Sequence, residues 1–346
     1  MLRRRFSNQR LSGRPFRGAA EAVAWFGAVQ AQDFAGATWA LGQRCAGLTD
    51  VDVERAFAAG EIVRTHVMRE TWHFMAAADA RWLLALTAPR LRAASVYYHR
   101  KLEITPAVVR RSQAVFRRRL EGGRAATRDE LAAALRRSGI HADGLRLAYL
   151  VMDSELDAVI CSGPRLGKQV TYALFDERVP KTKPLAREAA LRELTVRYLT
   201  SHGPATLRDF AWWSGQTQKE IRVGIEAAGR RLESITEGGR TYWLAPGAGA
   251  APPIAPTARL LPNYDEYLIA YKDRELVLAR GGDVFAHQLV VDGRLAGSWT
   301  RTLSRNGVEV AVAPYAKLSR PHARALDAEV ARLGRFLGSK ATLATR

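Results

Sequence analysis

The sequence predicts a helix-rich α+β protein in which three helices followed by a β-hairpin occur three times, ahead of a β-rich C-terminal segment. Three observations predict this fold. Apolar residues recur at helical spacing, capping residues precede those segments, and short runs of β-forming residues flank compact turns. Three helices and a hairpin is the element order of a winged helix, a helix-turn-helix motif with a β wing. We therefore expect three tandem winged-helix units.

The first unit is predicted over residues 1–102. Asp33 and Thr49 start its second and third helices, because a short polar side chain accepts hydrogen bonds from the free backbone N–H groups at a helix start. A hairpin follows, and a long helix bridges to the second unit. The predicted segments are, in order, 18–29, 33–44, 49–60, 62–67, 71–75 and 79–100.

The second and third units are predicted over residues 103–183 and 184–246. Thr127 with Glu130 matches the capping-box pattern, and a Gly-Gly turn closes the hairpin of the third unit. The second unit is predicted to contain helices over 106–121 and 143–160, a helix that begins at residue 127, and a wing strand over 169–179. The third unit is predicted to contain helices over 185–201, 207–213 and 217–228 and strands over 232–236 and 241–244.

A linker rich in Ala, Pro and Gly, residues 245–256, precedes the C-terminal segment 257–346. Strand patterns around an Asp-Gly turn and a closing amphipathic helix predict a small β-rich element. It is short for a separate domain, and we expect it to pack back on the third unit. Its predicted strands are 285–292, 294–300 and 308–312, and its predicted helix is 320–337.

The charge balance points to a polyanionic partner. The chain has 53 Lys+Arg against 34 Asp+Glu, a formal net charge of +19. GC-rich coding can explain arginine in place of lysine, but it does not explain the excess of bases over acids. A single winged helix can also mediate protein contacts. Three tandem units on a strongly basic chain instead predict double-stranded DNA as the partner.

Several classes of protein are disfavoured by the residues present. Cys45 and Cys161 are far apart without a Cys-x-x-Cys pattern, which predicts neither a disulfide nor a zinc site. His66 and His73 lack a third ligand, and the segment 163–169 departs from the phosphate-loop spacing. We therefore predict no metal and no cofactor.

The N-terminal arginines are not followed by the apolar region of a signal peptide. No uncharged apolar run approaches the roughly 18 residues that a spanning helix needs. We therefore expect no membrane contact and a cytoplasmic, nucleoid-associated protein.

Two glutamines one residue apart, Gln30 and Gln32, are the candidate catalytic residues. In a helix, residues i and i+2 point in different directions, whereas in extended chain they face the same side about 7 Å apart. A helix ending near residue 29 and a second helix capped by Asp33 leave the glutamines in the connection, where their amides can converge. The alternative is a pair of solvated surface glutamines.

Other polar residues are candidates for DNA contact. The first hairpin carries Arg and His side chains that are predicted to contact the DNA backbone, with His73 positioning the lesion strand. The alternative is a strand pair with partly buried polar residues. A turn in the second unit offers two further cations to phosphates. The candidates are Arg64, His66, Arg69, His73, Arg165 and Lys168.

Two further pairs have a structural interpretation that we favour. Asp265 and Glu266 stand together in a basic chain, where ion pairing that joins the domains is the favoured role. Trp212 and Trp213 lie on a predicted helix of the third unit, and we expect core positions rather than a base-stacking platform.

Six segments resemble the winged-helix DNA glycosylases of the AlkZ/YcaQ type. The resemblance runs from the N-terminus to about Lys317 and includes the short Gln-Ala-Gln element between the first two helices. The segments are 8–11, 28–33, 63–73, 167–172, 261–267 and 291–299.

The resemblance implies an enzyme that removes bulky or crosslinking N-alkylated purines from duplex DNA. It also implies a C-shaped arrangement of three winged helices around a basic channel. Family members carry a catalytic Gln-apolar-Gln or Gln-apolar-Asp motif, and Gln30 and Gln32 match the first form, with Asp33 interpreted as a helix cap. We expect a monomer that leaves an abasic site without a lyase step. A non-enzymatic DNA-binding protein, a regulator or nucleoid-type protein, is the alternative.

Amides suit this chemistry. An N7- or N3-alkylated purine is cationic, so the base leaves without a general acid, through an oxocarbenium-like state. A carboxamide oxygen aimed at the sugar can stabilise that positive charge and orient a water molecule. A full carboxylate base becomes important only for a neutral leaving group. The motif therefore predicts activity on cationic adducts and little on neutral lesions.

Overall fold

The fold is described from a computed structural model of the chain, which covers residues 1–247, 256–274, 277 and 286–344. The helices are α1 Leu2–Asn8, α2 Ala19–Phe26, α3 Phe34–Gly42, α4 Asp50–Ala59, α5 Ala77–Lys101, α6 Pro106–Leu120, α7 Arg128–Arg137, α8 Gly144–Leu156, α9 Phe175–Arg178, α10 Arg187–Ser201, α11 Leu207–Ser214, α12 Gln218–Ala228, α13 Glu266–Ile269 and α14 Arg320–Phe336. The strands are β1 Val29–Gln30, β2 Ile62–Val67, β3 Arg69–Ala76, β4 Ile160–Ser162, β5 Tyr172–Leu174, β6 Glu233–Glu237, β7 Arg240–Leu244, β8 Ala258–Leu261, β9 Gln288–Val291, β10 Arg294–Ser304, β11 Gly307–Pro314 and β12 Ala341–Leu343.

The first unit contains the predicted helices and hairpin and one strand that the sequence did not reveal. Asp33 caps α3 by accepting from Gly36 N at 3.1 Å, and Thr49 forms a capping box with Asp52 at the start of α4. The hairpin β2–β3 is present, and β1 pairs with β3 on its other side to give the order β1-β3-β2. The first glutamine of the candidate pair therefore lies in an edge strand.

The second unit departs from the sequence prediction in two places. The helix predicted over 143–160 is too long, because α8 ends at Leu156 and Ala158 adopts a positive φ of 53° that interrupts the helix. Ile160 belongs to β4 instead. The strand predicted over 169–179 is also wrong, since only β5 is extended there and α9 follows at once. Phe175 and Val179 are both buried one helical turn apart, a spacing that favours the helix.

The third unit follows the predicted order of elements closely. Thr206 and Thr217 both form capping boxes, at the starts of α11 and α12. The hairpin β6–β7 turns through glycines at positive φ. Local signals were sufficient here because both caps and the turn are encoded within four-residue windows.

The C-terminal segment forms a five-stranded sheet in the order β12-β11-β10-β9-β8, with α14 against it. The expectation that it packs on the third unit is wrong for this sheet and helix, which pack on the first unit. Trp39 donates its indole N–H to Leu260 O at 2.7 Å and lies 5.1 Å from the Phe336 ring. The inner faces of the sheet and of the first unit are both apolar, and burying them together removes both from water.

The third unit contacts the C-terminal segment through a short stretch around α13. Tyr198 donates to Ala270 O at 2.9 Å, and Tyr271 donates to His202 O at 2.7 Å. Most of the predicted linker and the start of the strand predicted from residue 285 lie outside the described residues.

In the described part of the chain, the predicted units do not each have a separate hydrophobic core. The largest cluster of buried apolar residues joins α5 with the second and third units, through residues such as Leu83, Leu150 and Leu194. The boundaries therefore stay predictions. No helix in the described part of the chain is long and apolar enough to cross a membrane.

Gly42→Ala tests the packing of α14 on the first unit. A Cβ at Gly42 would approach the Phe336 ring to 2.5 Å, so we expect a loss of about 1–3 kcal/mol in the free energy of unfolding. Gly18 has open space around the corresponding position, so Gly18→Ala should cost less than about 1 kcal/mol. Chemical denaturation measures both, and equal effects would argue against this packing.

Candidate active site

Val29 and Gln30 form β1, Ala31 continues the pairing with β3, and the chain bends at Gln32, so the extended geometry expected of the glutamines is found at the first of them. Gln30 pairs with His73 across the sheet, and Ala31 N donates to Trp72 O at 2.7 Å. Val29 and Ala31 are buried in the apolar core, so strand alternation places the Gln30 side chain on the opposite face, while Gln32 Oε1 accepts from Trp72 N at 3.4 Å. The side chain of Gln30 is nearly buried, at 8% exposure, and that of Gln32 is exposed.

His73 lies beside Gln30 on the same face of the sheet. It is fully buried, and its Nδ1 lies 2.9 Å from Thr71 O. A carbonyl only accepts, so Nδ1 carries the proton and Nε2 is left as an acceptor. Burial, with help from the Arg69 guanidinium, lowers the pKa of His73 to about 3, so the ring is neutral at physiological pH.

Glu266 holds the backbone of the first glutamine from the other side. Its carboxylate accepts from Gln30 N at 2.7 Å and from the Trp213 indole N–H at 2.8 Å, and His202 Nε2 lies 3.4 Å away. Burial by itself raises the pKa of this carboxyl, but the contacts with His202, Gln30 N–H and Arg69 lower it below its ordinary value. Burial lowers the pKa of His202. The pair is therefore an ionised carboxylate beside a neutral imidazole.

Asp265 forms the neighbouring ion pair that the sequence interpretation favoured. Its two oxygens accept from Arg44 at 2.7 and 2.8 Å, and both side chains are buried. The expected ion pair is therefore found for Asp265, whereas Glu266 binds a backbone N–H and an indole N–H. Arg44 belongs to the first unit, whereas Asp265 starts α13.

The two tryptophans of α11 occupy different environments. Trp213 is fully buried, as expected. Trp212 is 37% exposed and lies under the Lys272 ammonium at 4.5 Å, so it is only partly a core residue. The sequence interpretation is therefore confirmed for the first residue and incomplete for the second.

Arg64 and His66 hold the Gln-Ala-Gln segment from within the protein. Arg64 donates to Ala31 O at 2.8 Å, and its guanidinium lies 4.4 Å from the Trp72 ring centre. His66 pairs with Glu155 and its ring centre lies 4.4 Å from that of Trp72. Both side chains are buried, as His73 is. Their predicted contact with DNA stays a prediction, and their burial argues against direct contact with phosphate in this conformation.

The remaining predicted DNA contacts differ in accessibility. Arg69 is partly buried beside Glu266, and burial lowers its pKa. Arg165 pairs with Glu54, and its guanidinium lies 4.5 Å from the Phe34 ring centre. Lys168 is exposed in the turn of the second hairpin. Of these three cations, Lys168 has the most accessible position for a phosphate, and all three roles remain predictions.

The sequence interpretation missed the part that Glu266 and His202 take in the site. Both come from segments distant from the glutamines, and Glu266 is 236 residues from Gln30 along the chain. The available signal was an acidic residue just ahead of the apolar run 267–271, where a charge needs partners once it is buried. The described residues contain no group of three or more His, Cys, Asp or Glu side chains that could hold a metal ion.

Comparison with known proteins gives the class of protein. Residues 23–336 match the family model of the AlkZ-like DNA glycosylases, and the chain belongs to this family. It is therefore a DNA glycosylase, and the non-enzymatic alternative is set aside.

Two further comparisons lead to Streptomyces sahachiroi. The chain is 27% identical over 358 residues to an interstrand DNA cross-link repair glycosylase, covering 96% of this chain and 95% of the relative. The solved structure of the DNA glycosylase AlkZ matches with a TM-score of 0.77 at 23% identity, covering 99% of this chain and 98% of that one. The second comparison confirms the α+β fold.

Asp33 can be tested as a cap against a role as catalytic base. Asp33→Ala removes the acceptor for Gly36 N and should lower the free energy of unfolding by about 0.5–2 kcal/mol. Asp33→Asn keeps an acceptor, so its stability and its rate of base release should stay close to wild type. Loss of base release in a stable Asp33→Asn protein would instead identify Asp33 as the base.

The neutral state of His73 predicts how stability depends on pH. Below about pH 6.5 the unfolded chain takes up a proton at this histidine and the fold does not, so the free energy of unfolding falls as pH falls, by up to about 1.4 kcal/mol per pH unit. His73→Gln should flatten the slope between pH 6.5 and 5 by this amount. Parallel curves for wild type and His73→Gln would contradict the assignment.

Proposed function

We propose that this glycosylase hydrolyses the N-glycosidic bond of cationic N-alkylated purines, bulky or crosslinked ones included, in duplex DNA. The observation that supports the proposal is the position of the two glutamines, with Gln30 in a short edge strand and Gln32 at the bend that follows it. That segment is hydrogen-bonded to β3 on one edge and to Glu266 on the other. The similarity to an interstrand DNA cross-link repair glycosylase supports the class of substrate.

In the proposed mechanism the amide oxygens of Gln30 and Gln32 act on the deoxyribose, and the Gln32 oxygen, which accepts from Trp72 N at 3.4 Å, keeps a second lone pair for this role. As the cationic base departs, positive charge develops on the sugar, and fixed amide dipoles stabilise it without having to reorganise. One amide also accepts a hydrogen bond from the attacking water and aligns it. The alkylated base leaves as a neutral molecule, which is why no general acid is needed.

We propose that the reaction ends at hydrolysis. A lyase step needs an amine nucleophile near the sugar. In the described part of the chain, the groups hydrogen-bonded to the two glutamines belong to Glu266 and to the Trp72 backbone, and no lysine is among them. The product is then an abasic site.

The DNA is proposed to lie in a basic channel formed by three winged-helix units in a C-shape, with unit boundaries as predicted from the sequence. The element order of each unit and the net charge of +19 support this arrangement. Helix α6 also presents a row of exposed arginines suited to phosphates. These are Arg110, Arg111, Arg117 and Arg118. We propose a monomeric, cytoplasmic and nucleoid-associated enzyme.

The test is base release from duplex oligonucleotides that carry one N7-alkylguanine or one nitrogen-mustard crosslink. Gln30→Ala and Gln32→Ala should each slow single-turnover release on the order of 10²-fold, because each removes a dipole that acts on the developing charge. Binding to the same duplex, measured by fluorescence anisotropy, should persist, since neither change removes a cation.

A duplex with a neutral lesion, such as 1,N⁶-ethenoadenine, serves as the chemical control. Release of the neutral base at a rate close to that of the N7-alkylguanine would contradict the role assigned to the amides. Wild-type rates in both alanine variants would move the catalytic site away from the glutamines.

A further inference from the structure

Glu266 has a structural connection to the proposed catalytic strand that its neighbour Asp265 does not have. Both carboxylates are 2% exposed and stand side by side at the start of α13. Asp265 binds Arg44, whereas Glu266 binds the backbone N–H of Gln30. We propose that Glu266 is a positioning residue for base excision, which sets the orientation of the Gln30 amide through its backbone. This inference rests on the proposed function of Gln30.

The need for such a residue follows from the strand itself. β1 is two residues long and lies at the edge of its sheet, next to β3 alone. Ala31 N points into the ladder toward Trp72 O, so Gln30 N points to the open edge. Without a partner there, β1 would be held from one side only. Glu266 accepts from this N–H at 2.7 Å, a short charge-assisted hydrogen bond.

The carboxylate is fixed from its other side by the third unit. Its second oxygen accepts from Trp213 Nε1 at 2.8 Å, and His202 Nε2 lies 3.4 Å from the same oxygen. Trp213 and His202 are both fully buried, so Glu266 has little freedom to follow a displaced strand. Through Glu266, the packed core of α10 and α11 therefore fixes the orientation of Gln30.

Burying a carboxylate to accept from one backbone N–H has a large desolvation cost. Its desolvation is offset only when every donor is in place, whereas a neutral acceptor would avoid most of that cost. The charge has a second consequence for the proposed reaction. It places negative potential directly behind the amide that faces a developing cation, in a region screened from solvent.

Glu266→Gln keeps the shape of the side chain but cannot accept from both donors, because its NH₂ group must face either Gln30 N–H or Trp213 N–H. We expect single-turnover release of N7-alkylguanine, at saturating enzyme, to slow on the order of 10²-fold while affinity for an uncleavable abasic-analogue duplex changes less than about threefold. Hydrogen–deuterium exchange of a peptide spanning 28–34 should accelerate.

Asp265→Asn is the matched control, since it weakens an equally buried carboxylate that has no contact with Gln30. It should lower the melting temperature, yet leave the release rate of the folded enzyme and the exchange of 28–34 near wild type. Glu266→Asp serves if Glu266→Gln does not fold. It retains the charge but withdraws it from Gln30, and the rate should again fall.

The outcomes separate the two proposals. An inactive wild type would overturn the proposed function. An active wild type, with Glu266→Gln or Glu266→Asp no slower than Asp265→Asn, would overturn the positioning role alone. Slow release confined to the Glu266 variants, together with faster exchange at 28–34, is the result that we expect.

Discussion

Two adjacent buried carboxylates, Asp265 and Glu266, hold together the parts of this molecule that form the candidate site. Asp265 binds Arg44 of the first unit, and Glu266 binds Gln30 of the same unit and Trp213 of the third. Each carboxylate is favourable in the interior only while its donors surround it. The desolvation of the two carboxylates is therefore offset only when the first unit, the third unit and α13 are docked together. Of the two, only Glu266 contacts a proposed catalytic residue.

The small sheet β1-β3-β2 has an apolar face and an opposite face that carries Gln30. One face carries Val29, Phe74 and Ile62 and packs on apolar residues of the first unit and the C-terminal sheet. The other face carries Gln30 and His73, which lie side by side. This arrangement lets a packed apolar layer support polar side chains, so the Gln30 amide is presented on a regular strand.

The distribution of charge suits the proposed substrate on two length scales. Over the whole molecule a net charge of +19 attracts a polyanion. At the site, the ionised carboxylate of Glu266 lies directly behind Gln30, and His73 is neutral because its burial lowers its pKa. The carboxylate also offsets the positive charge of Arg69, which lies beside it.

The sequence by itself determined the elements whose signals are local. The sequence predicted five helix starts, because the residues that form each cap lie within four consecutive positions. These starts are at Asp33, Thr49, Thr127, Thr206 and Thr217. The extended geometry predicted for the Gln-Ala-Gln segment is found at Gln30, whereas the chain bends at Gln32. The composition also predicted a DNA partner, and the resemblance predicted the enzyme family that the comparisons then confirmed.

Only the tertiary structure decided which elements meet. The edge strand β1, the helix α9 in place of a wing strand, and the packing of the C-terminal sheet on the first unit all depend on contacts between distant segments. Propensity and spacing carry no information about such contacts, because burial of a face depends on which partner is available. The pairing of Glu266 with Gln30 is the clearest case. Its two residues are 236 positions apart, and neither has a local signal for the other.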